Sequence, residues 1–256
     1  MMKRPKLISA AALCVAVAAA AAGCGSSGDD SAGASSTPGA GSDLPQGSEH
    51  VTIDPAEFTS NIDNPYLPLA PGSRWVYSEH EDGASQRVVV TATDRTKVVD
   101  GVETRVVHDV VSDNGAPVED TYDWYAQDSQ GNVWYFGEDT TEYKHGRPVS
   151  TAGSFESGVD GAEPGVVMPA EATTGMSYRE EFKPGEAEDQ ASILSTDAQA
   201  EVPFGHFSDA VLTSNTTPVE PKVQEYKLYA KGVGPVIELL VSDGSGRTDL
   251  VSYHRG

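Results

Sequence analysis

Thiols are almost absent from this 256-residue chain: its two cysteines, Cys14 and Cys24, both fall within the first 24 residues. Everything downstream therefore has no disulfide framework and no cysteine nucleophile. Histidine is sparse and scattered, at positions 50, 80, 108, 145, 206 and 254. With no His-x-x-x-His or Cys-x-x-Cys spacing, a transition-metal site has no ligand set to draw on. His108, among valines, reads as a half-buried side chain rather than a base. There is no Gly-x-Ser-x-Gly elbow and no Ser-x-x-Lys pair, so the common serine nucleophiles find no support. Positive charge is short: 17 Lys and Arg face 39 Asp and Glu, a net charge of −22, which argues against nucleic acid and anionic lipid surfaces as partners. Helix-period hydrophobicity is missing between residues 74 and 143, and no fixed-period repeat is visible.

What is present begins at the N-terminus. Lys3, Arg4 and Lys6 precede an apolar run over residues 7–22, which closes on Ala21-Ala22-Gly23-Cys24. A basic start, an apolar middle and a small-residue boundary make residues 1–23 a predicted export signal, too short and wrongly flanked for a stable membrane span. The Ala-Ala-Gly-Cys end resembles a bacterial lipobox. By that resemblance Cys24 carries a diacylglyceryl group, and two acyl chains suffice to hold a protein on the extracytoplasmic face of the cell membrane. Loss of the signal leaves 14 bases against 39 acids, a net charge of −25. Residues 24–49 are mostly Gly, Ser, Ala, Asp and Pro. They are expected to form a flexible lipidated tether with a reach on the order of 28 Å.

Residues 50–256 are enough for one core and are read as a single β-sheet domain. A proline-rich lead over 51–72 should lie along the sheet, with at most one helical turn after Asp54. Turn signals at Asp82-Gly83, Asp100-Gly101, Asn114-Gly115, His145-Gly146 and the 243–246 cluster then separate runs rich in β-branched and aromatic residues. The predicted fold is all-β: a single antiparallel meander sheet, strongly curved or a half-open barrel. Residues 148–176 hold five glycines, three prolines and no Lys or Arg, and are expected as a long flap loop docked by Val167 and Met168. Residues 205–210 are expected to hold a short helical turn.

The organising stretch is 119–139, with six aromatic residues, six carboxylates and no Lys or Arg. It reads as a β-hairpin turning over 128–132. Strict alternation would put Tyr122, Trp124, Ala126, Val133, Tyr135 and Gly137 on one face, and Asp123, Tyr125, Gln127, Trp134, Phe136 and Glu138 on the other. The first set looks like core. The second is too polar to bury cheaply and too aromatic for plain surface, and it is the candidate ligand-binding site. Tyr125, Trp134 and Phe136 would stack on a ligand, while Asp123, Gln127 and Glu138 would accept its hydrogen bonds.

Runs within this stretch, Glu-Asp-Thr-Tyr-Asp-Trp-Tyr-Ala-Gln-Asp at 119–128 and Gly-Asn-Val-Trp-Tyr-Phe-Gly-Glu-Asp at 131–139, resemble a group of uncharacterised bacterial secreted lipoproteins, as does Gly-Glu-Ala-Glu-Asp at 185–189. Tyr-Ala-Lys-Gly-Val-Gly-Pro-Val at 229–236 looks like the closing strands of lipoproteins built on a curved, half-open antiparallel sheet. The resemblance implies an envelope lipoprotein and carries no assigned activity.

Three functions remain in view. Acids beside aromatics suit a non-catalytic binding module for a glycan, a cation or an envelope protein. A carboxylate pair would also suit a glycosidase-like hydrolase, and a structural role in envelope assembly is the third. Clustered carboxylates call for a hard cation such as calcium, with Asp120, Asp128 and Asp139 the candidate ligands. The plainer alternative is a solvated acidic surface.

Overall fold

The computed structural model describes residues 44–81, 83–242 and 244–256. The expected export signal, Cys24 and the expected tether up to residue 43 lie outside the described residues, as do Asp82 and Asp243 of two expected turns. Residues 44–49 already lie against the barrel. The Arg179 guanidinium donates to the carbonyls of Gly47 and Glu49 at 2.8 and 2.7 Å, and the Gln46 amide donates to Ser177 O at 2.7 Å.

A short 3-10 turn, Pro55–Glu57, starts at Asp54, whose carboxylate caps the Ala56 amide at 3.0 Å. Sixteen strands follow: β1 Phe58–Thr59, β2 Arg74–Glu81, β3 Ala84–Val99, β4 Val102–Asp113, β5 Ala116–Asp128, β6 Val133–Lys144, β7 Arg147–Ser150, β8 Phe155–Glu156, β9 Glu163–Met168, β10 Ser177–Arg179, β11 Glu181–Phe182, β12 Gln190–Val202, β13 Gly205–Thr216, β14 Gln224–Ala230, β15 Gly234–Ser242 and β16 Gly246–His254. All are antiparallel. The main path runs β10, β12, β13, β14, β15, β16, β2, β3, β4, β5, β6, β9, β11, with β1 on β5 and both β7 and β8 on β6. Its two ends, β10 and β11, are successive pieces of one segment separated by Glu180 alone. The sheet therefore curls until its edges nearly meet, and the result is a nearly closed antiparallel barrel.

Local chemistry explains the meander. Asp100-Gly101, Asn114-Gly115 and His145-Gly146 have φ of 49° and 79°, 50° and 82°, and 54° and 71°. Two consecutive positive φ values are what a tight hairpin turn matched to strand twist requires. On β3, Val88, Val90 and Ala92 point inward beside Val111, Asp109 and Val107 of β4. Trp75 and Tyr77 of β2 complete this wall, their polar tips donating to Val233 O at 2.7 Å and Pro235 O at 3.0 Å. The lead segment supplies Leu67 and Leu69 to the same interior. Each such side chain contributes about 1.5–3 kcal/mol by leaving water.

Two expected elements differ. The flap is no loop: it contains β7, β8 and β9, and Val166, Val167 and Met168 are sealed by pairing of β9 with β6. Gly165 lets the segment joining β10 and β11 lie close against β9, because a Cβ there would meet Glu180 backbone atoms at 2.3 Å. Residues 205–210 are strand rather than helical turn, since β12 and β13 form a long hairpin whose ladder bonds outweigh any local helical preference.

Candidate functional site

The β5–β6 hairpin forms as expected, but its register is one residue off strict alternation. Tyr125 pairs with Tyr135, Ala126 with Trp134 and Gln127 with Val133, while beyond an irregularity Asp123 pairs with Glu138. Directly opposed residues share a face, so Asp123, Tyr125, Gln127 and Glu138 lie with Tyr135. Trp134 and Phe136 lie on the opposite face. The six-residue set is thus split, and a one-residue slip flips side chains as a pleated strand demands. Glu138 rejoins Asp123 only because of a bulge at Gly137. There φ is 127°, and a Cβ would come within 2.2 Å of Phe155 O.

None of the three rings is an open stacking platform. Phe136 and Tyr125 are buried, the latter stacked on Tyr135 at 4.9 Å. Trp134 packs edge-on against Phe58 and donates its indole N–H to Asp128 Oδ2 at 2.8 Å. Gln127 is engaged with the lead segment, accepting from the amides of Asp63 and Asn64 at 3.0 and 2.9 Å. The proposed calcium ligands do not converge. Asp120 pairs with His108 at 2.9 Å. Asp128 organises the turn, accepting from the amides of Gln130 and Asn132 and the Asn132 side chain at 3.0, 2.8 and 2.8 Å. Eight residues of extended strand put it on the order of 26 Å from Asp120. Among the described residues no group of three or more His, Cys, Asp or Glu has metal-holding geometry.

Two arrangements do emerge around the hairpin. The first is internal. The Tyr135 hydroxyl lies 2.8 Å from Asp123 Oδ1 and 3.2 Å from Glu138 Oε2. One phenol hydrogen cannot serve both, so one contact calls for a protonated carboxyl. Burial pushes the Asp123 carboxyl up to about 8, with Glu119 adding to the shift and the Tyr135 hydrogen bond opposing it.

The second is an open hollow of about 310 Å³ where β5, β6 and β8 meet the end of β3, lined by Lys97, Trp124, Glu138, Asp139, Glu156 and Asp160 among others. Its size is that of a small-ligand pocket. Lys97 Nζ stands 3.2 Å above the Trp124 ring and 2.8 Å from Glu156 Oε2. An ammonium on an aromatic face with a carboxylate beside it is a cation box, and the chain fills it with its own lysine. Of the residues anticipated as ligand contacts, only Glu138 reaches the lining, itself just 2% exposed; Asp139, anticipated as a metal ligand, joins it. Trp124, assigned to the core, is buried there as expected, and one face of its ring also lines the hollow under Lys97.

Deeper in the barrel a buried lysine, Lys227, stands 3.7 and 3.9 Å from Glu225 and Glu238. Burial pulls its pKa down, but Glu238 and Glu225 outweigh this and hold it well above the ordinary lysine range. Around it burial raises the carboxyl of Glu79 to about 8 and that of Glu180 to about 7, the latter offset by Lys227 and by the Asn215 amide at 2.7 Å. Sequence reasoning missed this layer. Glu225, Lys227 and Tyr229 alternate with Leu228, a pattern that reads as an outward polar face. Only the pairing of Lys227 with Glu238 and Thr213 turns it inward.

No family model matches the chain, and no curated protein does. Two solved structures are similar to it. One is a provisionally named lipoprotein from Parabacteroides distasonis, at 11% identity, covering 74% of this chain and 98% of that one with a TM-score of 0.42. The other is a β-barrel-like protein of a domain of unknown function from Brucella abortus, at 13% identity, covering 72% and 97% with a TM-score of 0.36.

Proposed function

We propose that this chain is a lipid-anchored, non-catalytic binding module of the bacterial envelope, and that the open hollow takes a ligand through an ammonium group. The carrying observation is Lys97 Nζ over Trp124 beside Glu156, a resident ammonium that an incoming one would replace. Beside Lys183, whose ammonium is paired with Glu186 at 2.7 Å, Glu138, Asp139 and Asp160 leave the lining acidic on balance, which suits a cation and disfavours anions. A glycan would qualify here through a free amine rather than through ring stacking alone.

Calorimetric titration with n-butylammonium, using 1-pentanol as the neutral analogue, tests this. Wild-type protein should bind the amine weakly, Lys97→Met at least tenfold more tightly because self-competition is gone, and Trp124→Leu not at all. Unchanged affinity in Lys97→Met would sink the reading. The anchor is tested separately by metabolic labelling with an alkynyl palmitate, which Cys24→Ala should abolish.

A second reading, hydrolysis by the Asp123 and Glu138 pair, draws on their shared Tyr135 contact and a raised carboxyl pKa suited to an acid. It requires turnover of some polysaccharide that Asp123→Asn removes. A broad substrate screen without turnover counts against it.

A further inference from the structure

The barrel holds a second, inner cavity, independent of the open hollow and of about 50 Å³, which amounts to room for a few water-sized groups. Leu67, Leu69, Val90, Val107 and Val167 make one end of it apolar, and Lys227 with Glu238 makes the other polar. Two polar groups on its wall are already committed, the Trp75 indole to Val233 O and the Tyr77 hydroxyl to Pro235 O. The Lys227 ammonium is different. It is 4% exposed, and its ion-pair partners at 3.7 and 3.9 Å stand beyond hydrogen-bond length. Among the described residues the ammonium has these two long ion pairs and no shorter contact, and a buried cation so placed at the polar side of an apolar chamber is a handle for something that accepts hydrogen bonds.

We propose that this cavity is a binding site for a small neutral molecule with an apolar body and one carbonyl or hydroxyl acceptor. The body packs against the valines and leucines, and the oxygen accepts a charge-assisted hydrogen bond from the Lys227 ammonium. Neutrality follows from the surroundings. Glu225, Glu238 and Glu180 crowd the ammonium, so an anionic head would meet several acids for one base, and a cationic head would meet Lys227 itself. The chamber's size limits the ligand to a few non-hydrogen atoms.

NMR titration of the full chain with 2-butanone, against isopentane as the hydrocarbon of like shape, tests the assignment. The ketone should give contacts from its methyl groups to Val90, Val107 and Val167, and bind about tenfold or more tightly than the hydrocarbon, as expected for a hydrogen bond to a charged donor. Lys227→Met should bring ketone affinity down to that of the hydrocarbon. Because that variant removes a buried charge, Val167→Leu is the companion: it narrows the chamber, keeps Lys227, and should weaken ketone binding at least severalfold. Equal affinity for ketone and hydrocarbon, or ketone binding unchanged in Val167→Leu, overturns the proposal.

Discussion

Lys97 and Lys227 each stand among carboxylates, but 35% of the Lys97 side chain is exposed in the open hollow, against 5% for Lys227 inside the barrel. At Lys97 water screens the charge, so its contact with Glu156 contributes about 0–1 kcal/mol and is exchangeable. At Lys227 water is excluded, and the surrounding acids depend on the ammonium as much as it depends on them. The same residue type is thus replaceable in one place and structural in the other. Dielectric surroundings make the difference, with the contact distances actually shorter at the weaker pair.

The sharpest way to break that contrast is Lys227→Met. Leaving Glu225 and Glu238 without their cation should lower stability by about 3–5 kcal/mol at pH 7 in urea unfolding. No loss at pH 7 would erase the distinction.

Gly137→Ala comes next. A side chain there must adopt φ of 127° and push into Phe155 O, which should cost about 2–3 kcal/mol. It should also withdraw Glu138 from Tyr135, and so separate the interior from the hollow at the one carboxylate they share.

Asp123, Glu79 and Glu180 bear on the interior alone. Below about pH 4 the carboxyl is protonated in both folded and unfolded chains. Above that only the folded chain keeps the proton, until about 8 for Asp123 and Glu79 and about 7 for Glu180. Their stabilising contribution is therefore full at the acid end and is lost as pH rises through 7–8. Each steepens the fall by up to about 1.4 kcal/mol per pH unit. Urea midpoints at pH 5, 6, 7 and 8 should decline, and Asp123→Asn should decline less steeply than wild type. A parallel slope in the variant would remove Asp123 from the account.

The smallest effect belongs to Lys97→Met, which should change stability by less than about 1 kcal/mol. A loss comparable to that of Lys227→Met would show that the hollow is as closed as the interior.

Much of the fold was legible beforehand because its signals are local. The Asp-Gly, Asn-Gly and His-Gly turns need only two residues with positive φ, and β-branched alternation on β3 needs only the pleat. The lead segment's turn after Asp54 was legible for the same reason, through Pro55 at the first helical position, and the structure adds the Asp54 carboxylate as its cap. β9 was not, because Gly165 and Pro164 look like loop residues until β6 and Glu180 are placed beside them. The site was half legible. The acid and aromatic stretch 119–139 does supply Trp124, Glu138 and Asp139 to the hollow, but Lys97, Glu156 and Asp160 come from segments with no motif of their own.

Composition and short-range pattern by themselves determined that this chain is an acidic antiparallel β protein, without cysteine after residue 24, with a hairpin at 119–139. Which way each side chain of that hairpin faces, and that Lys227 points inward among acids, only the tertiary structure decided. Alternation along a strand is blind to a single-residue bulge and to the choice between two faces. Both are settled by cross-strand register and by what neighbouring strands bury.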